Sequence, residues 1–287
     1  MKAAIAMSEI RPGQSIELLK ELHILTREGK LNQDSRRKLK QVYHLYQFIE
    51  KLLLELPSNG AGVTLADHGA GKSYLGFIIY DLFFNAANTD RQGHIYGIET
   101  RAELVQKSTE LAAKLGFKNM SFLALSVAAS MQSRALPTQI NIVTALHACD
   151  TATDDAIAFG LQKQAQYMVL VPCCQAEISR VLNAHKAQSL SRTPLAELWR
   201  HPLHTREMGS QITNVLRCLY LEAWGYKVTV TELVGWEHSM KNELITAKKC
   251  HDNPRASLAA AQRLRDLLTE VGLSVLLETR FKMPAKN

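Results

Sequence analysis

No apolar run in the sequence approaches the roughly 20 residues that a bilayer-spanning helix needs, so a membrane-embedded chain is not expected. The opening MKAAIAMSEIR holds only a very short apolar patch, too short for the core of a secretory signal. Cysteine is scarce. Cys149, Cys173, Cys174, Cys218 and Cys250 are an odd set, which argues against a disulfide framework and for reduced thiols in a cytoplasm. Neither a CxxC nor an HxxxH pair occurs, so the commonest zinc-ligand spacings are missing. Acidic charge is in deficit: 34 Lys and Arg face 27 Asp and Glu, a net charge of +7. That balance suits a nucleic-acid partner, although many soluble proteins are mildly basic without one. What remains is an ordinary globular composition. The 46% of hydrophobic residues excludes a disordered chain, and 287 residues allow one large or two modest domains.

The stretch VTLADHGAGKSYLGF, residues 63–77, reads as strand, glycine turn, helix. Such a turn brings bare backbone close to a ligand, because glycine lacks a Cβ and tolerates positive φ. Two further absences narrow its meaning. A phosphate-cradling GxxxxGK[ST] loop needs a glycine where Ala66 stands, and a dinucleotide GxGxxG turn needs one where Tyr74 stands. Asp67-His68-Gly69-Ala70-Gly71 instead fits acidic-x-G-x-G, with the acid closing the strand. This resembles motif I of the class I S-adenosylmethionine-dependent methyltransferases. The resemblance implies that Asp67 acts near the amino end of the cofactor and that Gly69, Ala70 and Gly71 lie under its methionine part.

Residues 1–56 read as a helical extension. Ser15 is placed to cap a first helix, and a second runs over 35–56, opening with Arg36, Arg37, Lys38 and Lys40. That basic start is either an RNA-facing surface or the solvated face of a packed helix. From Val63 onward, short apolar strands alternate with helical patterns: strands over 63–67, 94–99, 120–126, 140–146 and 167–171, helices over 74–84, 102–115 and 154–163. This alternation predicts a mostly parallel sheet, whose ligands bind beyond the carboxyl ends of the strands. Asp67, Glu99, His147 and Pro172-Cys173-Cys174 all fall at those ends and so converge on one rim. Glu99 can accept both ribose hydroxyls of an adenosine cofactor there. Helices follow again from 177 to 224, then strands over 227–234 and 243–249, and an amphipathic helix from Pro254. The apolar stretch 273–277 finds no place in this pattern.

A finer resemblance appears in TALHACDTATDDAI, residues 144–157, and in YMVLVPCCQAEI, residues 167–178. Together with GWEHSMKNELITAKK from Gly235, they are similar to a methyltransferase-domain group. It includes the eukaryotic tRNA acceptor-stem 2′-O-methyltransferases and the glutathione S-transferase C-terminal-domain-containing proteins. The matching residues are His147, Cys149, Ala152-Thr153-Asp154 and Pro172-Cys173-Cys174. Gln175 departs from a common histidine and Asp150 from a common glycine. The implied fold is α/β: a Rossmann-like class I methyltransferase with a mostly parallel seven-stranded sheet. The implied division is a helical extension over 1–56, a cofactor-binding domain over 57–250 with a helical insertion at about 175–225, and a helical tail over 251–287.

The resemblance further implies S-adenosylmethionine as cofactor and RNA, tRNA or rRNA, as acceptor. The alternatives are a small-molecule or protein acceptor, or a cofactor-binding module that has lost catalysis. Many relatives hold the adenine amine with an acid after the third strand. Here Leu125-Ser126-Val127-Ala128 follows, so Ser126 or a backbone amide takes that role. His147 or Asp150 is placed to remove a proton from an acceptor hydroxyl, with a buried structural histidine as the alternative for His147. Pro172, Cys173 and Cys174 face the acceptor. No metal is expected, since adjacent cysteines do not easily both reach one tetrahedral ion.

Overall fold

A computed structural model describes residues 9–57, 62–86, 91–146, 150–172, 176–184, 194–233, 243–250 and 253–283. Seven strands form one sheet: β1 Val63–His68, β2 Gly93–Glu99, β3 Met120–Ala124, β4 Ile142–Ala145, β5 Tyr167–Leu170, β6 Tyr226–Glu232 and β7 Glu243–Lys249. Their order is β3-β2-β1-β4-β5-β7-β6. The first five pair in parallel, with Asp67 beside Gly97 and Thr144. β7 runs antiparallel to both β5 and β6, as a closing hairpin requires. β1, β4 and β5 are buried almost throughout, because helices cover both faces.

One face carries α1 Ile16–Glu21, α2 Gln33–Glu55, α3 Tyr74–Ile79 with its π-helical continuation Tyr80–Phe84, and α4 Ala102–Lys114. Leu39, Leu45, Ile49 and Leu53 of α2 share a core with Leu65, Ile142 and Tyr167 of the sheet, so the amino-terminal helices are packed on the sheet itself. Ser15 caps α1 as expected, its hydroxyl accepting from Leu18 N–H at 3.1 Å. Its own N–H donates to the buried Asp81 carboxylate at 2.9 Å, which docks α1 on the π-helical turn. Arg91 donates to the carbonyls of Leu53, Leu54 and Leu56, groups that a helix end leaves unpaired.

The other face carries α5 Val127–Gln132, α6 Thr151–Gln162, α8 Pro202–Ala223, α9 Pro254–Glu270 and α10 Leu276–Thr279. α7 Glu177–Ala184 and a 3-10 turn over Pro194–Trp199 lead into α8. α5 was not expected. The third strand ends at Ala124, and Ser126 turns the chain into a helix because its hydroxyl accepts from Ala129 N–H at 3.2 Å. The unplaced stretch 273–277 also resolves: Leu273 and Leu276 are buried against Leu264 and Leu268 of α9 in the same core. α7 and α8 approach closely at Gly209, where a Cβ would lie 3.0 Å from the backbone nitrogen of Ser179.

The costliest burial on this face is Arg217 of α8, which has no solvent exposure. Its Nε and Nη2 donate to the two carboxylate oxygens of Asp154 at 2.7 and 2.8 Å. Nη2 also reaches the Asp150 carbonyl at 2.7 Å, and Nη1 the Asn214 side-chain oxygen at 3.2 Å. Arg217→Ala leaves Asp154 buried without its cation, and urea unfolding is expected to show a loss of about 3–5 kcal/mol. The double variant Arg217→Ala/Asp154→Ala is expected to lose less than the sum of the two single changes. Strictly additive losses would show that the pair is not coupled.

Candidate active site

The parallel strands end together above the glycine turn. β1 delivers Asp67 and His68, and the chain then passes through Gly69 at φ +64°, Ala70, and Gly71 at φ +57°. Neither glycine position suits a side chain, so the turn stays bare. Ala70 N–H donates to the Ile98 carbonyl at 3.2 Å, which fixes the turn to the end of β2. A cavity of about 670 Å³ opens over it. Asp67, Gly69, Ala70, Gly71 and Glu99, all expected from the sequence, line this cavity together. Its volume is in the range usual for small-ligand and cofactor sites.

The two acids are held in opposite ways. Asp67 is buried, accepts one hydrogen bond from the Thr144 hydroxyl at 2.7 Å, and has no cationic partner among the described residues. Burial pushes its pKa up to about 7. Glu99 is also little exposed, but Arg101 donates to it from Nε, Nη2 and the backbone, and Gly71 N–H donates at 2.9 Å. The Arg101 contact, followed by the backbone donors, pulls its pKa down to about 2. His68 lies edge-on to Phe159, with ring centroids 4.3 Å apart, and neither ring nitrogen meets a partner among the described residues. Burial pulls its pKa down to about 4, so the ring is neutral.

Ser126 is exposed and spends its hydroxyl on the α5 cap, while its neighbours Leu125 and Val127 line the cavity. Asp150 precedes α6 with φ +53° and ψ −123°, a backbone that glycine adopts more readily. This accounts for the glycine that the resemblance puts there. The Asp150 carboxylate accepts from Ala176 and Glu177 N–H at 2.9 and 3.0 Å and pairs with Arg180 at 2.9 Å. It thereby joins the start of α7 to the start of α6. Pro172 is buried just past β5. His147, Cys149, Cys173 and Cys174 lie outside the described residues.

Sequence reasoning missed the cavity's far wall. Ile24, Lys38, Gln41 and Val42, from the amino-terminal helical region, face the glycine turn across the cavity. The only signal was the cluster Arg36, Arg37, Lys38, Lys40 at the start of α2. Lys72 and Arg101 complete a rim with three cations.

The raised pKa of Asp67 sets a sign for stability in the empty protein. Its folded value, about 7, lies above the ordinary 3.8. The folded chain therefore binds more protons than the unfolded one between those values, and stability falls as pH rises through that window. Asp67→Asn removes the effect. It is expected to unfold at higher urea than the parent at pH 8 and to lose that advantage towards pH 4, a change on the order of 1 kcal/mol per pH unit. An equal difference at both pH values would refute this account of Asp67.

The residues fit S-adenosylmethionine in charge and shape. An uncompensated buried carboxylate suits the cofactor's cationic methionine end, the bare turn suits its close approach, and Glu99 lines the same cavity with its acceptor oxygens. A family model described as a methyltransferase domain matches residues 37–181, just over half of the chain. Among solved structures, magnesium protoporphyrin IX methyltransferase (ChlM) from Synechocystis PCC 6803 with bound SAH is 12% identical, with a TM-score of 0.46 over 81% of this chain and 94% of that one. An rRNA methylase from Streptococcus thermophilus is 9% identical, with a TM-score of 0.41 over 71% and 95%. The CurJ carbon methyltransferase is 18% identical, with a TM-score of 0.47 over 75% and 55%. No curated protein matches the sequence. The family match, on a sheet of this order with this turn at its centre, makes the chain a member of that methyltransferase-domain family, a class I enzyme whose methyl donor is S-adenosylmethionine.

Proposed function

We propose that the enzyme methylates RNA, of the tRNA or rRNA class, at a ribose hydroxyl. The observation that carries this reading is the charge at the mouth of the cofactor cavity. Lys38, Lys72 and Arg101 line it, and Arg37 and Lys40 are exposed on the same end of α2. A polyanionic acceptor would be drawn to this rim, in keeping with the chain's net charge of +7. In this reading Asp67 pairs with the cofactor's ammonium end, and Gly69, Ala70 and Gly71 lie beneath its methionine part. Glu99 accepts the ribose hydroxyls. Leu125 and Val127 flank the adenine, with Ser126 beside it.

A sulfonium is already an activated methyl donor, so the protein has to align the acceptor, exclude water and take up a proton. His147, just past the fourth strand in the sequence, is the base in this reading. Asp150 has its carboxylate taken up by the start of α7 and by Arg180, which suits it to positioning the rim. Pro172, Cys173 and Cys174 face the acceptor. In this reading residues 57–250 are the methyltransferase domain, with 1–56 as its helical extension and 251–287 as its helical tail. We place the enzyme in the cytoplasm, on its sparse and odd-numbered cysteines.

Tritiated methyl transfer from S-adenosylmethionine to fractionated cellular RNA, protein and small molecules tests the acceptor. Label is expected in RNA, and label confined to either other fraction overturns the assignment. RNA affinity is expected to fall with salt by about 0.7 log units per log unit for each phosphate held. Asp67→Ala is expected to weaken S-adenosylhomocysteine binding by roughly 10- to 100-fold, the worth of a buried charged hydrogen bond. Unchanged affinity by calorimetry would remove Asp67 from the site.

A further inference from the structure

Glu99, proposed above to hold the ribose, is already fully engaged. Its Oε1 accepts from the Thr100 hydroxyl at 3.2 Å, Arg101 N–H at 3.1 Å and Arg101 Nε at 3.0 Å. Its Oε2 accepts from Gly71 N–H at 2.9 Å and Arg101 Nη2 at 3.1 Å. A carboxylate offers about four lone-pair sites and five donors already crowd them, so two ribose hydroxyls cannot be added until two donors leave. The Gly71 and Arg101 backbone donors are set by the glycine turn and by the start of α4. The Arg101 guanidinium is different: it sits on a flexible stem, and its side chain is 59% exposed. The pair is open to solvent on the Arg101 side alone, since the Glu99 side chain is 7% exposed, and it is from that side that the guanidinium can leave. The guanidinium also overhangs the bare turn, with Nη2 3.9 Å from where a Cβ on Gly71 would be. It therefore stands where a ligand lying on that turn must come.

We propose that Arg101 is a displaceable latch. It closes on Glu99 in the empty site, yields to the cofactor's ribose hydroxyls, and once released joins Lys72 as a cation for a phosphate of the acceptor. This inference rests on the reading of Glu99 as the ribose residue and of RNA as the acceptor. Two consequences follow from the chemistry. The cofactor must compete with an ion pair whose cation is exposed, so salt, which screens that cation, helps the cofactor to bind. The cofactor also frees a cation for the acceptor, so each ligand tightens the other by the same factor.

Calorimetric titration with S-adenosylhomocysteine at low and high salt, on the parent chain, Arg101→Ala and Glu99→Gln, tests the latch. Arg101→Ala is expected to bind up to about 5-fold more tightly than the parent at low salt, with the gap closing at high salt. In a second arm, an oligouridine RNA is titrated with and without saturating S-adenosylhomocysteine. The parent is expected to gain roughly 2- to 5-fold in RNA affinity and Arg101→Ala to gain nothing. Weaker cofactor binding by Arg101→Ala would make Arg101 a direct cofactor contact and end the proposal, as would unchanged binding at both salt levels. Cofactor binding lost in Glu99→Gln but unmoved in Arg101→Ala ends the latch and keeps Glu99 at the ribose. Unchanged binding in Glu99→Gln ends the reading of Glu99 itself.

Discussion

Parallel pairing of five consecutive strands is the constraint from which the rest follows. Parallel neighbours must all hand the chain over at the same edge, so each strand end, turn and helix start accumulates on one side of the sheet. Residues 28 apart, Gly71 and Glu99, become hydrogen-bonded neighbours there, and Thr144 reaches back 77 residues to Asp67. The helices that make this pairing necessary also bury both faces, which explains why the central strands are apolar nearly throughout. The amino-terminal helices do more than cover a face. They also bring Ile24, Lys38, Gln41 and Val42 to the cavity that the glycine turn lines.

Within that edge, two carboxylates that line the same cavity have opposite electrostatic surroundings. Asp67 sits in apolar company with a single hydroxyl donor, and Glu99 is surrounded by donors. The contrast divides labour by environment. A carboxylate short of positive charge is prepared for a cation, and one already ringed by N–H groups keeps its charge at any ordinary pH.

Much of this was legible in the letters. The acidic-x-G-x-G turn, the acid closing the second strand and the alternation of strand and helix located the cavity and the sheet, because each rests on local chemistry: bare backbone, period and strand ends. The third strand was carried two residues too far, to Ser126, and α5 was not foreseen, because only the Ser126 side-chain cap marks where the helix begins. Arg217 and Asp154 were unreadable as a pair, being 63 residues apart on helices whose packing the sequence does not display. Arg101 carries no signal in the sequence, and only geometry reveals that it fills Glu99. His68 sat inside the motif as a silent letter, though it is buried against Phe159.

Asp150 is an unusual compromise. Its backbone takes a shape that glycine holds with less strain, yet glycine could not cap α7 or meet Arg180. Its carbonyl, in turn, is gripped by Arg217 from α8. One residue thus links the chain leaving β4, the chain leaving β5 and the helical insertion. Mechanically it is a shared anchor: three segments that reach this side of the rim are tied to a single residue.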